Sequence, residues 1–258
     1  MGRRLFSFTT SFTTEMPITS PHNDKLKTVR KLRQRRRDRE RLGQFIAEGE
    51  DLLAAADAAG WEPVERFCAT GSGLPGTEVE PELLAGVTAL ASGTRTLAIY
   101  TERWQAVDRM PPTRLCVYLH GVGDPGNVGT VLRSAEAFGA GSVAFGTGSA
   151  DPFSPKAVRA SMGAIFTVPV VHADHGQLPG VTVALDANAE RTLAQVTQDL
   201  EPESEVTLLV GAEREGLPDE LLRQVDRVAR IPIASESLNA AMAATVALYE
   251  LTRRITPA

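Results

Sequence analysis

Three segments carry polar or charged side chains at spacings that could do chemistry, and each follows an apolar run that reads as a buried strand. The first, HGVGDPGNVGTVLRSAEAFG from His120, is a glycine-rich turn opening a helix, with Asn127 at the helix start and Arg133 two turns along. A guanidinium can fork onto an oxyanion such as a phosphate, and an amide at a helix start can cap while facing the same ligand. The second, VTLLVGAEREGLP, runs from a strand into Gly211, a charged turn with Glu213, and Gly216 before a proline-opened helix. The third, RIPIASESLNAAMAATVALYE, puts Ser237 and Asn239 at the start of a helix lined with small residues, which permit close backbone approach. Each also has a plain structural reading: a capped helix, a strand corner with a solvated glutamate, and Ser237 as an ordinary N-cap.

Gly121, Gly123 and Gly126 fit the G-x-G-x-x-G pattern of dinucleotide-binding turns. That chemistry wants an acidic residue closing the next strand to hold a ribose, and GSVAFGTG closes on glycine and threonine instead. A nicotinamide-dependent oxidoreductase is therefore the weaker reading of this loop.

The elements that must position these residues follow from Arg114 onward. Apolar strands RLCVYLH, GSVAFG, TVPVV, VTVALD, VTLLVG and RVARIPI alternate with helices, which predicts a mainly parallel sheet covered on both faces. All three segments then sit at carboxyl ends of strands, where open α/β sheets bind ligands. Upstream, Asn23 or Asp24 caps a basic helix with a thin stripe of Leu26, Val29 and Leu32, ended by Gly43. Strands at QFIAEG, PVERFCAT and TLAIYTE and helices at EDLLAAADAAG and EPELLAG complete a small α/β unit. The expected organisation is a disordered leader over 1–19, a first domain over 20–102, a linker over 103–113 carrying a double proline, and a second domain over 114–258.

Charge is concentrated. Residues 25–41 hold ten basic and two acidic side chains, a window of +8 in a chain whose net charge is -5. An acidic protein with one basic segment predicts a polyanionic partner, and Lys25, Lys27, Arg30, Lys31, Arg33, Arg35, Arg36 and Arg37 are the candidate contacts. The alternative is a solvated charged helix. Cys68 and Cys116 have no metal-ligand or disulfide spacing, and His172 and His175 flank Asp174 without further ligands, so no metal site is expected and a reducing compartment is. Serines and threonines interrupt the first 16 residues, which argues against a secretory signal and makes Met16 an alternative start. No apolar run approaches the roughly 20 residues of a membrane span.

Taken in order, the segments resemble the SpoU/TrmH family of the SPOUT methyltransferases. Asn127, Gly129 and Arg133 match its N-x-G-x-x-x-R motif; Gly211, Glu213 and Gly216 match G-x-E-x-x-G; Ile231, Pro232, Ser237, Leu238 and Asn239 match I-P…S-L-N. The N-terminal ITSPHNDKLKTVRKL and FIAEG are similar to the substrate-binding domain that accompanies many members. One departure is the short ASE between IPI and SLN.

The resemblance implies an α/β catalytic domain with a deep trefoil knot behind a small α/β RNA-binding domain, and a cytoplasmic homodimer with its site at the interface. It implies S-adenosyl-L-methionine as cofactor, held around Leu209, Gly211, Ile231, Ile233, Leu238 and Asn239, and a ribose 2'-hydroxyl of RNA as acceptor. Arg133, Asn127, Glu213, Ser237 and Asn239 are the implied catalytic set. Ribosomal RNA is the first-choice substrate and transfer RNA the second; a non-catalytic RNA-binding or ribosome-assembly factor is the alternative of another class.

Overall fold

The computed structural model describes residues 16–88, 93–111, 114–201, 203–235 and 237–255. The first unit comprises α1 (Asp24–Gln34), α2 (Arg36–Leu42), β1 (Gln44–Glu48), α3 (Glu50–Ala58), β2 (Glu65–Ala69), β3 (Thr77–Val79), α4 (Pro81–Val87) and β4 (Thr96–Thr101). Its sheet runs β1-β4-β2-β3, with β4 antiparallel to both neighbours and β3 parallel to β2. Asn23 is the cap of α1, its side chain accepting from the Lys25 amide, and Leu26, Val29 and Leu32 are buried as the apolar stripe requires.

The single basic helix expected from the sequence is two. Arg35 takes an extended conformation (φ -126°, ψ 112°) between α1 and α2. The break frees carbonyls in the last turn of α1, and Arg39, which is buried, donates to one of them, Leu32 O, at 2.9 Å. Leader residues 1–15 lie outside the described residues, but the expectation of disorder fails at its end. Ile18 is buried and bridges Val79, donating to Glu78 O at 2.8 Å and accepting from Glu80 N at 3.0 Å.

The second unit comprises β6 (Leu115–Leu119), α5 (Pro125–Ala137), β7 (Ser142–Phe145), α6 (Pro155–Ala160), β8 (Val170–His172), β9 (Val181–Leu185), α7 (Leu193–Gln198), β10 (Val206–Val210), α8 (Asp219–Leu222), β11 (Arg227–Ala229) and α9 (Ala240–Ile255). It is joined by β5 (Trp104–Gln105), which lies inside the segment expected as the linker and pairs parallel with β8. Pro112 and Thr113 of that segment lie outside the described residues. The sheet order is β11-β9-β10-β6-β7-β8-β5, and its recorded pairings are parallel. From β6 the chain winds outward through β7 and β8, then resumes on the other side at β9. The order thus reverses beside β6 and β10, which makes their carboxyl ends the crevice of this sheet.

The two units share a core. Phe45, Trp61 and Tyr100 of the first pack against Phe153 and Phe166 of the second, with ring centroids 4.8–6.1 Å apart. The Trp61 indole donates to Phe166 O at 2.8 Å, and the Arg39 guanidinium meets Asp151 at 2.8 Å with both side chains largely buried. Among the described residues no helix is long and apolar enough to cross a membrane.

Candidate active site

The crevice is built from α5 outward. Asp124 caps this helix and Pro125 opens it, a residue whose missing N–H costs nothing there. The Asp124 carboxylate accepts from Asn127 N at 3.0 Å and from Lys156 Nζ at 2.6 Å. The Lys156 hydrogen bond, helped by the amides of Asn127 and Gly126, holds this carboxyl below the usual carboxylate range. The first turn of α5 is thereby fixed, and with it the Asn127 side chain.

Asn127 joins all three motifs. Its Nδ2 donates to Glu213 Oε1 at 2.5 Å, and its Oδ1 accepts from Asn239 Nδ2 at 3.0 Å. The orientation is dictated by chemistry, because a carboxylate can only accept and so takes the NH2 side of the amide. Asn239 Oδ1 in turn accepts from Ala241 N at 2.9 Å and Met242 N at 3.3 Å, so Asn239, not Ser237, caps α9. A chain of amides thus ties the turn after β10, the start of α5 and the start of α9 into one cluster, across sequence separations of 86 and 112 residues.

The motif glycines are explained by packing. A Cβ on Gly211 would lie 2.3 Å from the Gly216 carbonyl carbon and 2.5 Å from Leu217 N. Gly211 therefore lets the turn fold back on itself, closed by the paired hydrogen bonds of Ala212 and Gly216 at 3.0 and 3.1 Å. A Cβ on Gly129 would lie 2.3 Å from Ala157 O, so this residue serves the close crossing of α5 and α6, not the chemistry.

A cavity of about 350 Å³ opens beside the cluster among the loops after β9, β10 and β11. Gly211, Ile231, Ile233 and Leu238 line it as expected, as does Ser237. Two expected cofactor contacts do not. Leu209 is buried in the core with Cys116 and Leu217, on the face of β10 away from the helix α9. Asn239 acts through the amide chain and is not on the cavity wall. Leu185, at the end of β9, and Asp186 and Asn188 after it form a wall that the sequence reading missed.

The cavity fits S-adenosylmethionine. Its volume is within the range of about 300–1,000 Å³ usual for small-ligand pockets. Leu217, Leu222 and Ile231 offer an apolar surface for a purine, and Asp186 and Glu213 offer carboxylates for cationic groups. The backbone groups of Ile231, Ile233 and Leu238 make no hydrogen bond among the described residues, leaving donors and acceptors for a ligand.

Arg133 is not part of the cluster. It is exposed on α5 with no hydrogen bond or ion pair among the described residues, while the next residue, Ser134, meets Thr245 of α9 at 2.7 Å. The expected RNA contacts divide in two. Lys25 pairs with Glu65, Lys27 with Asp24 at 2.8 Å and Arg36 with Glu40 at 2.7 Å; Arg30 and Arg33 donate to the Pro21 and Thr88 carbonyls at 2.8 and 2.6 Å. Lys31, Arg35 and Arg37 are exposed and form no ion pair among the described residues. The cap of α5 is Asp124 and not Asn127, which the sequence put in that role and which lies three residues further on; an aspartate before a proline at a helix start is the signal that could have found it, whereas nothing marked Lys156, 32 residues away.

Residues 114–249 match the SpoU rRNA methylase family, and residues 23–104 match the MRM3-like substrate-binding domain. The chain is 29% identical to a 23S rRNA (guanosine(2553)-2'-O)-methyltransferase of Bacillus subtilis (strain 168), over 91% of this chain and 98% of the relative. It is 28% identical to a 23S rRNA (uridine(2479)-2'-O)-methyltransferase of Streptomyces viridochromogenes, over 85% and 86%. The AdoMet-bound rRNA methyltransferase from Sinorhizobium meliloti superposes with a TM-score of 0.83 at 29% identity, covering 94% of this chain and 99% of that one. The AviRb methyltransferase of Streptomyces viridochromogenes in complex with AdoMet gives 0.79 at 27% identity, covering 90% and 98%. Three motifs brought together beside one cavity, in a sheet of this order, agree with those matches: the chain belongs to the SpoU rRNA methylase family.

Proposed function

We propose that this protein transfers the methyl group of S-adenosylmethionine to a ribose 2'-hydroxyl of ribosomal RNA, working as a cytoplasmic homodimer. The observation that carries the reading is the Glu213–Asn127–Asn239 chain at the mouth of the cavity. When bound, the cofactor supplies an electrophilic methyl on a sulfonium. The free backbone groups of Ile231, Ile233 and Leu238 and the tight turn at Gly211 hold it, with Leu217 and Leu222 packing on its apolar part. Asn127, fixed at both ends of its amide, and the neighbouring Ser237 position the acceptor nucleotide.

Arg133 grips the phosphate beside the target ribose. A guanidinium with a pKa above about 12 is a poor base but a good fork for phosphate oxygens. Holding the acceptor in register is itself a large contribution, about 7–11 kcal/mol in favourable cases.

The homodimer completes the site. The outer face of α9 exposes Met242, Val246 and Tyr249 (61, 43 and 51% exposed), spaced as one helical stripe, and Tyr249 packs on Phe138 at the end of α5. Pairing two copies through this face covers the stripe and turns Arg133, on the neighbouring helix, toward the second copy. The trefoil knot belongs to the same reading. The chain leaves β11 at the sheet edge beside β9, and α9 then packs against α5, β10 and α7.

The test is transfer of labelled methyl from S-adenosylmethionine to purified ribosomal RNA, with the product digested and scored for 2'-O-methyl nucleotides. Wild type gives label in that fraction, and Arg133→Ala keeps cofactor affinity while transfer falls at least 100-fold. An unchanged turnover in Arg133→Ala removes this residue from the mechanism; label on bases alone overturns the ribose assignment.

A further inference from the structure

A second and larger cavity, about 460 Å³, lies between the first unit and the carboxyl ends of β7 and β8, and none of the motif residues lines it. Its walls have their own chemistry. The imidazole of His172 stacks on the Trp104 indole, centroids 3.6 Å apart and planes 20° from parallel, yet the histidine is exposed. One face of His172 is thus backed by a rigid ring that also contacts Phe145 and Phe153, and its exposed remainder is offered to a planar ligand. Trp104 Nε1 donates to Glu102 Oε2 at 3.1 Å, which anchors a half-buried carboxylate at the same wall.

The charges in this cavity sort by partner. Arg36 is paired with Glu40, Asp151 with Arg39, and the Asp174 carboxylate accepts the Gln177 amide in a capping box. Glu102 is left with one indole hydrogen bond and no ion pair among the described residues, so it has acceptor capacity to spare; burial pushes its carboxyl above the usual carboxylate range. Four lining carboxylates against one lining guanidinium, that of Arg36, make this a poor place for a phosphate. An aromatic shelf beside an acceptor edge suits a base with adjacent N–H donors.

The position suits it too. The loop after β7 that floors the cavity is stitched to the turn leading into Asn127: Gly121 N donates to Thr147 O at 3.0 Å and Ala150 N to Val122 O at 2.9 Å. Two strand spacings separate β8 from β6, about 10 Å, a step or two along an extended RNA strand. On the outer side the cavity meets the start of α2, where Arg35 and Arg37, without an ion pair among the described residues, flank Arg36 and can hold the neighbouring phosphates.

We propose that this interdomain cavity is a base-reading subsite for an unpaired nucleotide flanking the methylation target. The ring stacks on His172 and its N–H edge is bound by the Glu102 carboxylate. Guanine fits best, because N1–H and N2–H present two parallel donors to one carboxylate. The inference rests on the RNA-methylation reading but concerns residues apart from the Asn127 cluster.

The experiment uses the whole protein and two seven-nucleotide single-stranded RNAs, one all uridine and one with a central guanosine. The chain has two tryptophans, and Trp61 is buried in the core, so change in emission on binding reports Trp104. The guanosine strand should quench emission and bind at least fivefold tighter than the uridine strand. Trp104→Phe should abolish the quenching, and Glu102→Gln should bring the guanosine strand to the uridine affinity without lowering the melting temperature. His172→Ala should weaken the guanosine strand five- to tenfold. Equal wild-type affinity for the two strands, or a guanosine preference that survives Glu102→Gln, overturns the subsite. Methyl transfer to ribosomal RNA is measured in parallel. Transfer without base preference sinks the subsite alone, and base preference without transfer sinks the methylation reading alone.

Discussion

Gly211→Ala tests whether the turn after β10 is the rigid wall of the cofactor cavity. The added Cβ would stand 2.3 Å from the Gly216 carbonyl carbon and 2.4 Å from its oxygen, where ordinary contact begins at 3.4 Å. The obstacle is backbone, so no side chain can swing away, and residues 212–217 must retreat by about 1 Å. Overpacking of this kind costs about 1–3 kcal/mol. For a chain of this size that lowers the melting temperature by roughly 2–4 °C per kcal/mol.

The same retreat carries Glu213 away from Asn127, against a present separation of 2.5 Å, and so loosens the chain that reaches Asn239. A hydrogen bond to a charged group is worth about 1.5–3 kcal/mol, which predicts a ten- to hundredfold loss of cofactor affinity and transfer rate. Calorimetric titration with S-adenosylmethionine, thermal unfolding and methyl transfer read the three effects separately. Gly86→Ala, in helix α4 where an added Cβ meets nothing within 4 Å, is the control and should leave affinity alone. Wild-type cofactor affinity in Gly211→Ala would refute the argument that this turn is both tight and shared with the cavity.

Replacing Lys31, Arg35 and Arg37 together by alanine should weaken RNA binding and lower the slope of log affinity against log salt by about 2–3, given roughly 0.7–0.9 per phosphate contact; an unchanged slope in anisotropy titrations would show that these cations do not face the RNA. Asp151→Asn leaves the buried Arg39 without its counter-charge and should cost about 3–5 kcal/mol in denaturant unfolding, the price of an uncompensated buried ion; a wild-type midpoint would mean the pair does not hold the two units together. The Asp226 carboxyl is held below its ordinary value of 3.8 by the Thr182 amide and then by the Thr182 hydroxyl, which ties the start of β11 to β9. A depressed carboxyl stabilises the fold above its unfolded value and loses that contribution as pH falls through the folded one. Asp226→Asn should therefore be less stable than wild type at neutral pH, with the gap closing below about pH 4; a gap constant with pH contradicts the assignment.

The residue order alone determined the alternation of strands and helices, a cap at Asn23 or Asp24 and the three motifs, because these depend on local periodicity and on which side chains satisfy a helix end. What lay beyond it was facing and distance. Within VTLLV both faces of the strand are covered, so Leu208 and Leu209 look alike in sequence, yet one faces the core under α5 and α9 and the other the opposite core. Arg39 reads as one more cation in a basic run, and its burial was decided by Asp151, 112 residues on. Trp104 sits in a two-residue strand too short to show alternation, and only its pairing with β8 sets it against His172. The convergence of Asn127, Glu213 and Asn239 has the same origin. Parallel strands joined by crossovers bring distant loops to one edge of the sheet, and no local pattern records which loops will meet.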